Sequence, residues 1–230
     1  MIKVSLEKLL EVGAHLGHQS RHWNPKMTDY LYGTEDGVHV FDLAKTRKAL
    51  LEALDVLQKA ASKGKTILFV GTKKQAKEKV KEVAEKTDNP YVSERWLGGT
   101  FTNFEQILKS IRKLDEMKTK MKEGEYDSFT KKEKLLISRE IDRLERLLGG
   151  IAKISQLPDL VVVIDVKREI GAVREANKFG IETIGVVDSN SDPTIVTWPI
   201  PMNDDSSQAL GFVLGLFEKV VLQGKKARKK

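Results

Sequence analysis

The sequence predicts an α/β chain built on a mainly parallel sheet flanked by helices, with an antiparallel coiled-coil helical hairpin inserted in it. Three observations predict this. The stretches Thr66-Ile67-Leu68-Phe69-Val70 and Pro158-Asp159-Leu160-Val161-Val162-Val163-Ile164-Asp165 have the character of strands buried on both faces. The second run is followed by a helical pattern over 169–179 and a return strand over 181–188, a parallel strand-helix-strand unit with a right-handed crossover. Between these runs the pattern changes to heptad-like steps, Ile107, Ile111, Leu114 and Met121, then Ile137, Ile141, Leu144 and Leu148, which suits two helices sharing one apolar seam.

In chain order, Leu6, Leu9 and Leu10 mark a short amphipathic helix with Ser5 as N-cap and Gly13 as its stop. Tyr30-Leu31-Tyr32-Gly33 and Val38-His39-Val40-Phe41 alternate as strands around the turn Thr34-Glu35-Asp36-Gly37 and predict a hairpin. Asp42 caps a helix that reaches Ser62 on the stripe Leu43, Thr46, Leu50, Ala53, Leu54, Leu57. A helix over 75–86 follows the 66–70 strand, and Asn89-Pro90 breaks the chain before a short strand at Tyr91-Val92. Thr102-Asn103-Phe104-Glu105 and Thr130-Lys131-Lys132-Glu133 have capping-box spacing and open the two hairpin helices. The prolines in Ile195-Val196-Thr197-Trp198-Pro199-Ile200-Pro201 place a last strand at a sheet edge, and a final helix capped within 204–207 runs to about Leu222. This divides the chain into one discontinuous α/β domain (1–101 and 151–222), a protruding hairpin (102–150) and a basic tail (223–230).

Composition narrows the functional classes. The 230 residues contain no cysteine, which removes disulfides, thiol catalysis and thiolate zinc sites. No stretch approaches the roughly 18 apolar residues of a membrane span, and the N-terminus opens without an apolar signal core, so a cytoplasmic protein is expected. The net charge of +7 invites a nucleic-acid partner. Five of the 40 basic residues lie in the last seven positions, which leaves 35 against 33 acids elsewhere.

Two stretches concentrate chemistry. Arg95-Trp96-Leu97-Gly98-Gly99-Thr100-Phe101-Thr102-Asn103 joins a guanidinium, an indole, hydroxyls and an amide to a double glycine, suited either to an extended polar partner or to a tight turn with its aromatics buried. Residues 13–26 hold three of the four histidines beside Arg21, Trp23, Asn24 and Lys26. That cluster reads as a phosphate or base contact surface, a structural hydrogen-bond cluster, or a metal site. In the metal reading, His15 and His18 meet Asp188, Asp204 or Asp205 across the fold. Gly64-Lys65-Thr66 is no phosphate-binding loop, because it precedes a strand and position 59 is lysine. Gly71-Thr72-Lys73-Lys74 reads as a plain strand-to-helix turn in preference to a nucleotide site. The hairpin's mixed charges fit a solvated surface or an arm touching phosphates on one side and protein on the other.

Gly13-Ala14-His15-Leu16-Gly17-His18, Asn24-Pro25-Lys26-Met27, the 95–103 run, Pro158-Asp159, Asp188-Ser189-Asn190 and Ile200-Pro201 with Asn203-Asp204 together resemble the bacterial form of small-subunit ribosomal protein two. The resemblance runs in order from about residue 4 to 222. It implies a doubly wound sheet with a helical arm, seated between head and body of the small subunit on the ribosome, and no catalysis. The implied partners are small-subunit ribosomal RNA and other ribosomal proteins, with the large messenger-binding ribosomal protein one held in place, and neither cofactor nor small-molecule substrate. The RNA-contact residues carried over from it are His18, Arg21, Trp23, Asn24, Lys26, Arg95, Trp96, Thr100 and Asn103. An enzyme using the sheet's crevice is the main competing class, but no nucleophile-base pair is recognisable; a pure protein adaptor is the other.

Overall fold

The protein is described by a computed structural model that covers residues 3–228. Its centre is a five-stranded parallel sheet in the order β5-β4-β6-β7-β8, formed by β4 (Ile67–Val70), β5 (Tyr91–Val92), β6 (Leu160–Ile164), β7 (Glu182–Val187) and β8 (Trp198–Pro201). Alternation along the strands assigns side chains to two separate cores. Ile67, Phe69, Leu160, Val162, Ile164, Ile184, Val186 and Ile200 face one of them, which is covered by α1 (Leu6–Glu11), α2 (Leu43–Ser62), α3 (Lys77–Lys86) and α7 (Ser207–Arg228). Leu68, Val70, Val161, Val163 and Val187 face the other, covered by α6 (Ile170–Lys178) and the roots of α4 (Phe104–Lys122) and α5 (Lys131–Leu148). With helices on both faces, each strand must be apolar throughout, which is why β4 and β6 read as unbroken hydrophobic runs.

Local chemistry sets the element ends. Asp42 Oδ1 accepts from the Ala44 amide at 2.9 Å and the Lys45 amide at 3.4 Å, capping α2 as the sequence predicts. Thr130 and Glu133 close a reciprocal capping box at α5. The matching box predicted at Thr102 does not form. Asn103 is the N-cap of α4, without a side-chain cap bond, because the Thr102 amide and hydroxyl both turn to Glu175. The last helix runs beyond Leu222 to Arg228, held by buried Gly224, where a Cβ would come within 2.5 Å of the Gln58 carbonyl oxygen of α2. Helices α4 and α5 pack through Ile107, Ile111, Leu114, Ile141, Leu144 and Leu148 and are tied by a Lys118–Glu145 ion pair.

A second, antiparallel sheet has the order β1-β3-β2, made of β1 (Leu16–Gln19), β2 (Leu31–Glu35) and β3 (Val38–Phe41). Asp36 (φ 48°) and Gly37 (φ 76°) form its two-residue turn, where left-handed torsions match the twist of the strands. The predicted hairpin is present, and β1 is an addition. Polar bonds fix this sheet to the larger one at the carboxyl ends of the parallel strands. The His18 amide donates to Ser189 Oγ at 2.8 Å, the Asn24 amide to the Ser189 carbonyl at 2.8 Å, and the Asn203 amide to the Ala14 carbonyl at 3.1 Å.

Candidate nucleic-acid interface

The carboxyl ends of the parallel strands lead into the turns at 71–76, 93–103, 165–169, 188–195 and 202–206, and most of the side chains singled out in the sequence gather on this rim. At its centre His18, Asp188, Asp204 and Asp205 offer one ligand atom each, all within 4.8 Å of one another. His18 Nδ1 lies 3.0 Å from Asp188 Oδ1 and Nε2 lies 3.5 Å from Asp205 Oδ2. The hydrogen bond to Asp188 outweighs partial burial and raises the imidazole above its ordinary value. Asp188 is fully buried, and its oxygens also accept from the Ser189 amide and hydroxyl and the Asp204 amide. His15, expected with these ligands, is not among them; its Nδ1 is buried without a hydrogen-bond partner.

Sequence reasoning missed two members of this cluster. Lys73, in the turn after β4, places its ammonium 2.5 Å from Asp204, 2.6 Å from Asp205 and 3.4 Å from Asp165. Burial works against its charge, but the bonds to Asp204 and Asp205 prevail and hold it above an ordinary lysine. Burial, with Asp188 and Asp165 nearby, pushes Asp204 up to about 7 in spite of Lys73. Asp165 follows β6 directly with φ 65°, a left-handed aspartate whose Oδ1 accepts from the Arg168 amide at 2.9 Å. The available signal was position: an acid and a lysine each just past the end of a buried strand.

The 95–103 turn is closed from within. One Glu175 carboxylate on α6 accepts from Trp96 Nε1 (3.1 Å) and from the amides of Gly99 (2.8 Å), Phe101 (2.8 Å) and Thr102 (3.1 Å). Burial opposes the charge on Glu175, but these donors hold the carboxyl below its ordinary range. Gly99 has φ 93°, which permits the bend that aims its own amide and those of Phe101 and Thr102 at one anion, while the Thr100 amide donates to the Leu97 carbonyl. Phe101 is buried, the Trp96 ring meets it edge-on at 5.0 Å, and the buried Thr100 hydroxyl donates to the Leu97 carbonyl. Trp96 and Thr100 therefore shape the turn, while Arg95 and Asn103 are exposed.

In the other stretch Arg21 and His22 are exposed, and Trp23 is 38% exposed with its ring 5.1 Å from His39. Asn24 Oδ1 accepts from the Lys26 amide at 3.0 Å, and Lys26 Nζ pairs with Asp192 at 2.6 Å. A cavity of about 900 Å³ lies elsewhere, between α3, β5 and the root of α5, walled by Lys77, Lys81, Glu94, Glu145, Arg146 and Lys153, and on its wall the Tyr91 hydroxyl donates to Glu85 at 3.2 Å. Among the described residues no helix is long and apolar enough to cross a membrane.

Comparison with known proteins is consistent across the chain. The family described as "Ribosomal protein S2" matches residues 9–224. A protein named small ribosomal subunit protein uS2 from a Nitratiruptor species is 45% identical over 225 residues, covering 98% of this chain and 84% of its own length. One of the same name from Hahella chejuensis is 48% identical over 210 residues, 91% of this chain and 83% of its own. Small ribosomal subunit protein uS2c from Mesostigma viride is 42% identical over 228 residues, 99% of this chain and 100% of its own.

Proposed function

The chain belongs to the ribosomal protein S2 family, whose members are structural and non-enzymatic, and from that premise we propose that it is held in the small ribosomal subunit by RNA contacts on the strand-end rim. The observation that carries the reading is the pairing of exposed cations, Arg21 and Arg95, with a rigid polar platform built by internal hydrogen bonds. Phosphate contacts supply position and salt-dependent affinity, and folded RNA supplies shape. Arg21, Lys26 and Arg95 act on phosphates, Trp23 stacks through its exposed edge, and Asn103 and His18 face polar groups of the RNA. Trp96, Thr100 and Asn24 act by holding their loops in shape.

Helices α4 and α5 serve as an antiparallel coiled-coil arm that meets RNA on its basic side and neighbouring ribosomal proteins on its acidic side, and the body helps to anchor ribosomal protein one. The site of action is the cytoplasmic ribosome. Lys225, Lys226 and Arg228 on the last turns of α7 add a sequence-neutral attraction; Lys229 and Lys230, expected to contribute to it, lie outside the described residues. The test is incorporation of the full-length Arg21→Ala/Arg95→Ala variant into small subunits, followed on sucrose gradients. A loss of about tenfold with unchanged circular dichroism is expected, since each cation removed is one phosphate contact fewer. Undiminished incorporation would sink the reading.

A second role is supported by the compact donor set His18, Asp188, Asp204 and Asp205. One imidazole and three carboxylates suit a divalent ion such as zinc, which would displace the His18 proton and the Lys73 ammonium. Calorimetric titration of the full chain with zinc, in buffers of different ionisation enthalpy, is expected to show binding with proton release that Asp188→Asn abolishes. Binding unaffected by that variant would remove the assignment.

A further inference from the structure

Open α/β sheets place small ligands where neighbouring strands send their connections to opposite sides. In this sheet that point lies between β4, whose chain continues outward to β5, and β6, whose chain continues to β7 and β8. The turns 71–76 and 165–169 frame it, and the protein's own side chains lace them together. Buried Glu169 accepts from the Thr72 amide at 3.1 Å and from the Thr72 hydroxyl, and Arg168 Nε donates to Thr72 Oγ1 at 2.9 Å. On the other side Lys73 joins Asp165 to Asp204. The slot where a nucleotide would sit is filled by these bonds.

Positive charge is left over at the mouth. Lys74, Lys167 and Arg168 are all exposed, and none forms an ion pair among the described residues. The acids beside them are already engaged, Glu169 with Thr72 and Asp165 with Lys73 and the Arg168 amide. The Nε bond to Thr72 fixes one edge of the Arg168 guanidinium and leaves its terminal nitrogens for an outside acceptor. Exposed Arg95 immediately precedes Trp96 on the neighbouring turn. Gly171, one turn beyond Arg168, lies against the neighbouring Trp96, where an added Cβ would stand 3.3 Å from the indole Cδ1.

We propose that Lys74, Lys167 and Arg168, together with Arg95, form a second phosphate-binding strip for the ribosomal RNA backbone, separated from Arg21 and Lys26 by the His18–Asp188–Asp204–Asp205–Lys73 cluster. This rests on the RNA-binding reading and adds to it a surface that neither the 13–26 nor the 95–103 stretch contains. RNA fits better than a protein partner. Protein docking surfaces centre on buried aromatic or aliphatic anchors, and the strongly exposed apolar side chains, among them Tyr32, Phe129, Leu135 and Leu136, lie on other elements. A run of unpaired cations on hydrogen-bonded turns needs only regularly spaced phosphates.

The experiment measures filter binding of the full-length protein to small-subunit ribosomal RNA across a salt series, with Arg21→Glu and Lys74→Glu/Lys167→Glu as variants; the double change leaves the Thr72–Glu169–Arg168 bonds intact. The double variant is expected to lose about tenfold or more in affinity and to lower the slope of log affinity against log salt by about two, with unchanged circular dichroism. If the wild-type chain does not bind this RNA, the parent reading falls and the strip falls with it. If the wild type binds, Arg21→Glu weakens it, and the double variant matches the wild type in affinity and slope, the strip alone is overturned. Unchanged RNA affinity with weakened retention of an acidic ribosomal protein overturns it too, and makes the strip a protein contact.

Discussion

Glu175 illustrates how one side chain can decide whether a loop is a surface or a hole. Its carboxylate meets four of the donors between Trp96 and Thr102 at 2.8–3.1 Å, so the loop's amides point inward and its arginine outward. Glu175→Gln keeps the shape but removes the charge and places an amide group where donors converge; a cost of about 1–3 kcal/mol in unfolding free energy is expected, read from urea titration. Because the folded carboxyl titrates below its ordinary value, its contribution is complete above the ordinary carboxylate range and is lost as pH falls through the depressed value. The gap in stability between wild type and Glu175→Gln should therefore close on acidification; a gap that widens at low pH would contradict the assignment. None of this was legible, since Glu175 sits in a charged helical stretch more than 70 residues from its donors and looks like any solvated acid. His18 and its aspartates were legible because a histidine cluster and acidic strand ends are conspicuous, whereas Lys73 resembled its exposed neighbour Lys74. Lys26 is visible as a cation but not as the partner of Asp192. Lys26→Ala is expected to cost 0–1 kcal/mol of stability, about the value of an exposed pair, where Arg21→Ala costs nothing measurable by thermal melting.

Just past the end of α5 the chain packs tightly on the body. Gly150 lies against Tyr91 so closely that a Cβ would overlap the tyrosine's carbonyl oxygen and ring, and the carbonyl belongs to strand β5. Gly150→Ala should destabilise the protein by about 1–3 kcal/mol through overpacking, visible as a lower urea midpoint. Leu144→Ala, inside the interhelical core at 8% exposure, should cost about 2–5 kcal/mol. Leu135→Ala and Leu136→Ala, at 51% and 56% exposure near the far end, should stay within about 0.5 kcal/mol. Equal costs at the root and at the far end would refute this gradient. Helix α2, with a full stripe and a capping side chain, was readable to within a residue at both ends, α5 at its capped start, and β4 to within a residue, whereas the strand read over 158–165 begins two residues later, at Leu160. Strand β1 was not, because Leu16-Gly17-His18-Gln19 is short, half polar and paired through an irregular register, and its strand character comes from β3 rather than from its own residues. The Thr102 box failed for the opposite reason: the spacing was present, but a distant carboxylate offered the same donors a charged partner.

Across the whole molecule, residues 12–24 and 188–206, distant in sequence, are woven into one surface. The Ala14 and Gly13 carbonyls accept from Asn203, the Val12 carbonyl accepts from Ser206, and the 18–24 stretch hangs on Ser189. Reduced to its parts, the fold is two cores back to back across five strands, and that much followed from the apolar alternation; the stitching between residues 12–24 and 188–206 did not, since single amide and hydroxyl bonds leave no periodic trace. It carries a temporal consequence. During synthesis residues 12–26 emerge long before the partners that hold them, so the surface carrying Arg21 and Trp23 stays unfinished until Ser206 has been made and has emerged. Arrested nascent chains ending before 188 should leave the 13–26 segment open to protease, and chains extended past 206 should protect it; early protection would show that the segment folds unaided. Only a polypeptide made past Ser206 thus presents a finished surface, and one terminated before it is barred from assembly by its own incompleteness.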